Sequence, residues 1–159
     1  MNTKLESWKV ILILLLFGLL STNTTFAQEL ELKDGFYFKK NMLYTGTHIE
    51  KYDNGNVKIE MEIKNGLKDG VVNTYFESGN IKEQSSYKDG LKHGEWIEWN
   101  EEGTKIAVAS YLNDMKDGDW FVWNDTGTLL YEMHYKKGKK TGVWKMYNQN
   151  GELIDERKH

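Results

Sequence analysis

Five columns of residues recur along this chain at a fixed step of 24, with no insertion or deletion between copies. Gly46, Gly70, Gly94, Gly118 and Gly142 form one column, and Gly55, Gly79, Gly103, Gly127 and Gly151 a second. Tyr87, Tyr111 and Tyr135 form a third, with Ile63 before them and His159 after. Tyr75, Trp99, Trp123 and Tyr147 form a fourth, and Trp96, Trp120 and Trp144 a fifth. A period held in register over this much chain restricts the fold to a tandem array. In such an array each copy is one small supersecondary unit that buries its apolar side on its neighbours.

Each copy reads as two strands. The segment after the first glycine is aromatic and β-branched, clearest at Trp120-Phe121-Val122-Trp123, and such residues favour strands. Four turn-forming residues ending in glycine follow, as in Tyr52-Asp53-Asn54-Gly55 and Asn148-Gln149-Asn150-Gly151; glycine suits the position because the backbone needs positive φ there. The next segment alternates: Val57, Ile59, Met61 and Ile63 on one side, Lys58, Glu60, Glu62 and Lys64 on the other, the pattern of a half-buried strand. A second turn, such as Lys88-Asp89-Gly90-Leu91-Lys92-His93-Gly94, leads into the next copy. The expected fold class is therefore all-β. Tandem β-hairpins of 24 residues lie side by side in an elongated, single-layer, twisted antiparallel sheet. One copy spans two strands, so each advances the array by roughly 10 Å. The mean hydropathy of −0.67 is too low for a large core, while 13% aromatic residues argue against disorder. A thin sheet held by stacked rings satisfies both.

The first residues differ in character. Lys4 and Lys9 precede an apolar run from Val10 to Leu20, then come STNTTFA and Gln28. This is the pattern of a secretory signal peptide over 1–27, cut near Ala27-Gln28. The eleven-residue run is short of the about 20 needed to span a bilayer; retention as an anchor is the second reading. Export to a periplasm, an outer-envelope surface or the medium is expected. With no Cys there is no disulfide framework and no acylated lipoprotein start. Residues 28–43 read as a lead-in, a degenerate half-repeat covering the first open edge, and 44–159 as about five hairpin units with the last truncated.

Leu43-Tyr44-Thr45-Gly46, the Tyr-x-x-Gly-x-x-x-Gly linker at Tyr87 to Gly94, and the Gly-x-Trp-x-x-Trp/Tyr start of each unit resemble MORN repeats. They are more similar still to the bacterial MORN-variant repeat, whose proteins are often labelled YwqK-family antitoxins. Asp114 in place of glycine in the third linker, and His48 and Val72 in place of Trp, depart from the pattern. The resemblance implies a non-enzymatic β-repeat scaffold engaged in protein interaction and sometimes in phospholipid binding. The antitoxin label implies neutralising a partner protein, which fits an export signal only if the toxin is exported too.

Two sets of residues stand out as candidates for binding. The rings of Trp96, Trp99, Trp120, Trp123, Trp144 and Tyr147 read either as anchors for a peptide, sugar or quaternary ammonium, or as the glue of a one-layer sheet. Lys68, Lys92, Lys116 and Lys140 share one column and are expected along one edge of the ribbon. There they either meet phosphates, anionic lipid or another anionic polymer, or are solvated turn lysines that blunt edge pairing. Asp69, Asp89, Asp114 and Asp117 are expected to dilute that stripe. His48, His93, His134 and His159 fall in unrelated columns with no metal-ligand spacing. No catalytic or phosphate-binding motif is present, so no catalytic residue, metal or cofactor is expected. The primary expectation is an exported scaffold for a protein partner, with no nucleic-acid role. The alternative is a cell-envelope module for glycan, choline-like or anionic phospholipid groups. The free terminal strands also allow an end-to-end homodimer.

Overall fold

The structure, a computed structural model, describes residues 30–159, so the expected signal peptide at 1–27 lies outside the described residues. Three short strands come first: β1 (Glu31–Lys33), β2 (Phe36–Lys39) and β3 (Met42–Leu43). The array follows as β4 (Gly46–Lys51), β5 (Val57–Lys64), β6 (Leu67–Tyr75), β7 (Ile81–Lys88), β8 (Leu91–Trp99), β9 (Lys105–Leu112), β10 (Met115–Lys116), β11 (Gly118–Trp123), β12 (Leu129–Lys136), β13 (Lys139–Tyr147) and β14 (Leu153–Lys158). Neighbours in sequence are neighbours in space. One open antiparallel sheet runs from β4 to β14 in chain order, with β10 pairing β9 beside β11.

Both sets of turns explain why the step never varies. The linkers between units are two-residue turns with positive φ at both positions, as at Asn65 (φ 50) and Gly66 (φ 78). This geometry matches strand twist and favours Asn, Asp and Gly. Each linker also bonds to the unit before it. Gly66 N–H donates to Tyr44 O (2.7 Å), Gly90 to Lys68 O (2.8 Å), Asp114 to Lys92 O (3.0 Å) and Gly138 to Lys116 O (2.8 Å). At the opposite ends of the strands, Asn side chains tie successive turns together: Asn56 Nδ2 donates to Glu77 O, Asn80 Nδ2 to Glu101 O, and Asn100 Nδ2 to Asp125 O. An inserted residue in one unit would break both ladders at once.

The lead-in departs from expectation. It does not cover the first edge of the array: β1–β2–β3 form a separate three-stranded sheet, and β4 remains the terminal strand of the large one. The small sheet meets the array at the first linker, where Tyr37 N–H donates to Gly66 O (2.8 Å). Leu30, Tyr37 and Tyr44 pack on Met61, Ile63 and Val72, the three buried apolar residues of the described chain, each 3% exposed. The array is thus one layer for most of its length and two layers at its start. The cause lies in two substitutions. His48 and Val72 stand where later units carry Trp, so the ring stack has no large side chains there, and the lead-in supplies the missing apolar cover.

Candidate functional site

The Trp and Tyr columns meet on one face of the sheet. In order the rings are Tyr87, Trp96, Tyr111, Trp120, Tyr135, Trp144 and His159, with successive centroids 5.6, 5.3, 5.3, 5.3, 5.1 and 4.8 Å apart and planes inclined by 53–63°. Inclined and edge-on rings at these distances each contribute about 0.5–1.5 kcal/mol beyond the area they bury. The indole N–H groups are used internally: Trp120 donates to Ser110 O and Trp144 to His134 O, both at 3.1 Å. His159 occupies the position that Tyr87, Tyr111 and Tyr135 hold in the earlier units.

A recurring irregularity builds the rest of the site. Tyr87 pairs with Lys92 and Ser85 with Trp96, so four steps on β8 oppose two on β7. The same offset separates Lys68 from Val72 against β5. In a regular strand a lysine four residues before a tryptophan would lie about 13 Å away. The bulge folds the extra residues out and brings the ammonium onto the ring: Lys92 Nζ lies 4.1 Å from the Trp96 centroid, Lys116 Nζ 4.0 Å from Trp120, and Lys140 Nζ 4.1 Å from Trp144. Lys92 and Lys116 also lie 4.9 and 4.8 Å from Tyr111 and Tyr135, and Lys68 lies 4.9 Å from Tyr87. The lysine column is therefore not an edge feature, as expected from its place in the linkers. It runs across the face, one cation on each ring pair, an arrangement worth about 0.5–1 kcal/mol per contact at exposed sites.

With this geometry in hand the comparison with known sequences is direct. A sequence-family model described as a MORN repeat variant matches residues 44–65, 68–89, 116–137 and 140–158.

The chain belongs to the MORN repeat variant family. Between the matched segments, residues 92–113 carry the same linker, ring pair and stacked lysine, so the MORN array is continuous in space. Among curated proteins no sequence matches the chain.

The six ring candidates divide between two faces of the array. Trp96, Trp120 and Trp144 belong to the ladder. Trp99, Trp123 and Tyr147 sit beyond them at odd spacing on the far face, where the Trp123 ring lies 5.7 Å from Phe121. Tyr147 there donates to Glu132 Oε2 (3.3 Å). The same carboxylate pairs with Lys145 Nζ at 3.1 Å, a contact that holds the Lys145 ammonium above its usual range. His134 bridges Asp119 (2.7 Å) and Glu132 (3.7 Å). This far-face network had no signal in the sequence, because its members belong to different columns and to one pair of units only.

The linker aspartates do not dilute the lysine row in the way expected. Asp69 Oδ2 accepts the Asp89 N–H (3.0 Å), and Asp114 Oδ1 accepts the Lys92 N–H (2.8 Å). Asp117 accepts from Lys136 Nζ (2.9 Å) and from the Lys137 N–H (3.0 Å), which holds its carboxyl below the usual carboxylate range. These acids serve the turns. Acidic residues of the ladder face include Glu83 and Glu98, directly opposite one another, and Asp155, which pairs with Met146 and accepts from Arg157 Nε at 2.8 Å. Burial first, and then the Glu83 and Glu98 carboxylates, push the phenols of Tyr87 and Tyr111 above their usual value.

At the end of the ladder the face opens into a groove of about 260 Å³, lined by Tyr131, Met133, Trp144, Met146 and His159 together with Lys140, Lys145, Arg157 and Asp155. Tyr131 is 38% exposed. The groove lies between β12, β13 and β14 on the ladder face.

Proposed function

We propose that this MORN array is an exported, non-catalytic scaffold that binds a protein partner on the ladder face of its last units. The observation that carries the reading is the groove beside Trp144. It brings aromatic and methionine side chains together with Lys140 and the Arg157–Asp155 ion pair, and aromatic residues, Met and Arg are enriched at protein interfaces. Met133 and Met146 are unbranched and adaptable, which suits a surface that must fit an irregular partner. The ladder indoles are satisfied internally, and the groove beside them exposes mainly apolar side-chain surface. Antitoxin-like neutralisation is one form such binding takes, and it requires a partner exported to the same compartment.

The test is affinity capture from the producing cell's envelope and medium fractions. The full chain is expected to recover one discrete protein, and Tyr131→Ala with Met146→Ala to weaken that pair about tenfold or more. Glu101→Ala in a distant turn leaves it unchanged. Recovery of no protein across a range of salt, or equal recovery by all variants, overturns the reading.

One observation favours the second reading, a cell-envelope module for anionic groups. The row of ring-stacked lysines presents positive charge on an accessible face, and each ammonium already fills the ring face a quaternary ammonium would need. This points away from choline-like ligands and toward phosphate or carboxylate. Binding to anionic vesicles or wall fragments, with a shift in tryptophan fluorescence and no protein captured, would select it.

A further inference from the structure

Lys68, Lys92, Lys116 and Lys140 form a single row of cations on the ladder face, each held in place by a ring under its ammonium. Lys136 and Lys145 each pair with a carboxylate, whereas among the described residues none of the four row lysines lies within ion-pair distance of one. The nearby acids Asp69, Asp114 and Asp117 are engaged by turn backbone instead. The chain as a whole is acidic, with a formal net charge of −3. Evenly spaced positive charge with no ion-pair partner, on one face of an acidic protein, calls for a ligand that carries the opposite charge at the same interval.

That interval is two strands, roughly 10 Å. A fully extended strand brings side chains to one side every ~6.7 Å and falls out of step. A polyproline II segment presents every third residue on one side at about 9.3 Å. An α-helix returns after two turns at about 10.8 Å. The last two differ in their ability to follow the row. Neighbouring strands rotate by about 20–25°, so the lysines wind around the ribbon by about 45° per unit. A straight helix can meet only one or two of them, while a polyproline II chain has no internal hydrogen bonds to break and can bend along the row. Aromatic ridges are also the surfaces on which such chains dock, since the segment is already extended before it binds.

We propose that the lysine row binds an acidic segment of the partner in the polyproline II conformation, with a carboxylate at every third residue set against successive lysines. This rests on the protein-partner reading and specifies the chemistry of that partner. The apolar groove beside Trp144 takes one end of the segment, and the row sets its register.

The experiment compares two synthetic peptides of equal composition and charge. In one, Glu-Pro-Pro is repeated four times; in the other the same residues are rearranged so that glutamates are adjacent in pairs. The full chain is expected to bind the first about tenfold more tightly, the product of a few screened charge pairs kept or lost together. Lys92→Gln, Lys116→Gln and Lys140→Gln each weaken it about two- to fourfold, additively, while the corresponding Lys→Arg variants restore binding and Lys58→Gln has no effect. The circular dichroism of every variant is compared with that of the parent chain, so that loss of fold is not read as loss of contact. Equal affinity for the two peptides overturns the proposal, as does tighter binding of a helical peptide with glutamate every seventh residue or of inorganic polyphosphate. Should the triple Lys→Gln variant still capture the native partner in full, this inference falls and the protein-partner reading stands. Should the parent chain capture no protein, the underlying reading falls as well.

Discussion

Lys116 and Trp120 show how much a single residue's neighbours add to its meaning. Each was legible as a column, and nothing in the spacing said they touch. The bulge that joins them is marked in the sequence only by Gly118, a glycine of the kind that often signals an extra strand residue. Its φ of 108° is a conformation that side chains rarely adopt, and a Cβ there would lie 2.9 Å from the Ser110 Cβ. Gly118→Ala is therefore expected to destabilise the chain by about 1–3 kcal/mol, read from its urea midpoint; an unchanged midpoint would mean the bulge is not a constraint. The tyrosines of the ladder add a pH signature. Tyr87 and Tyr111 hold their protons above the ordinary value of 10.0 because of burial and nearby carboxylates. In the unfolded chain they ionise first. The unfolded state then binds fewer protons than the native state, so stability falls as pH rises through 10.0 and levels off once the folded phenols have also ionised. Chemical denaturation at intervals from pH 8 to 11 checks this, and Tyr87→Phe is expected to flatten the fall.

At the scale of the element, the hairpin unit was fully legible and the lead-in was not. Alternation in β5, the turn glycines and the invariant step together specify a meander, because each has only one economical solution. The lead-in carries the same local signals, Asp34-Gly35 and then Phe36-Tyr37-Phe38, and local signals cannot say whether a hairpin extends an edge or folds over a face. What decides is tertiary: His48 and Val72 leave the ring stack unfilled, and Met61, Ile63 and Val72 need cover. Removing residues through 43 should therefore uncover a real core rather than trim an edge. Burial of one such side chain stabilises by about 1.5–3 kcal/mol. The shortened chain is expected to lose on the order of 3 kcal/mol and to bind a hydrophobic dye, whereas Leu32→Ser, at a residue 63% exposed, leaves stability near that of the parent. A shortened chain as stable as the parent would contradict the two-layer start.

For the molecule as a whole, repetition turns one weak contact into a continuous surface. No unit could bury its rings alone; five side by side make a ladder, a row of lysines and a terminal groove. The sequence made the ladder's members visible and, by their spacing of three, set Trp96 and Trp99 on opposite faces; what it left hidden is which of the two faces carries the lysines. The account therefore turns on which face meets the partner. The five tryptophans of the array each give an indole N–H resonance, and they divide into Trp96, Trp120 and Trp144 on the ladder and Trp99 and Trp123 behind it. With the captured partner added, the account predicts that the Trp120 and Trp144 resonances shift while those of Trp99 and Trp123 stay in place; movement confined to Trp99 and Trp123 would contradict it.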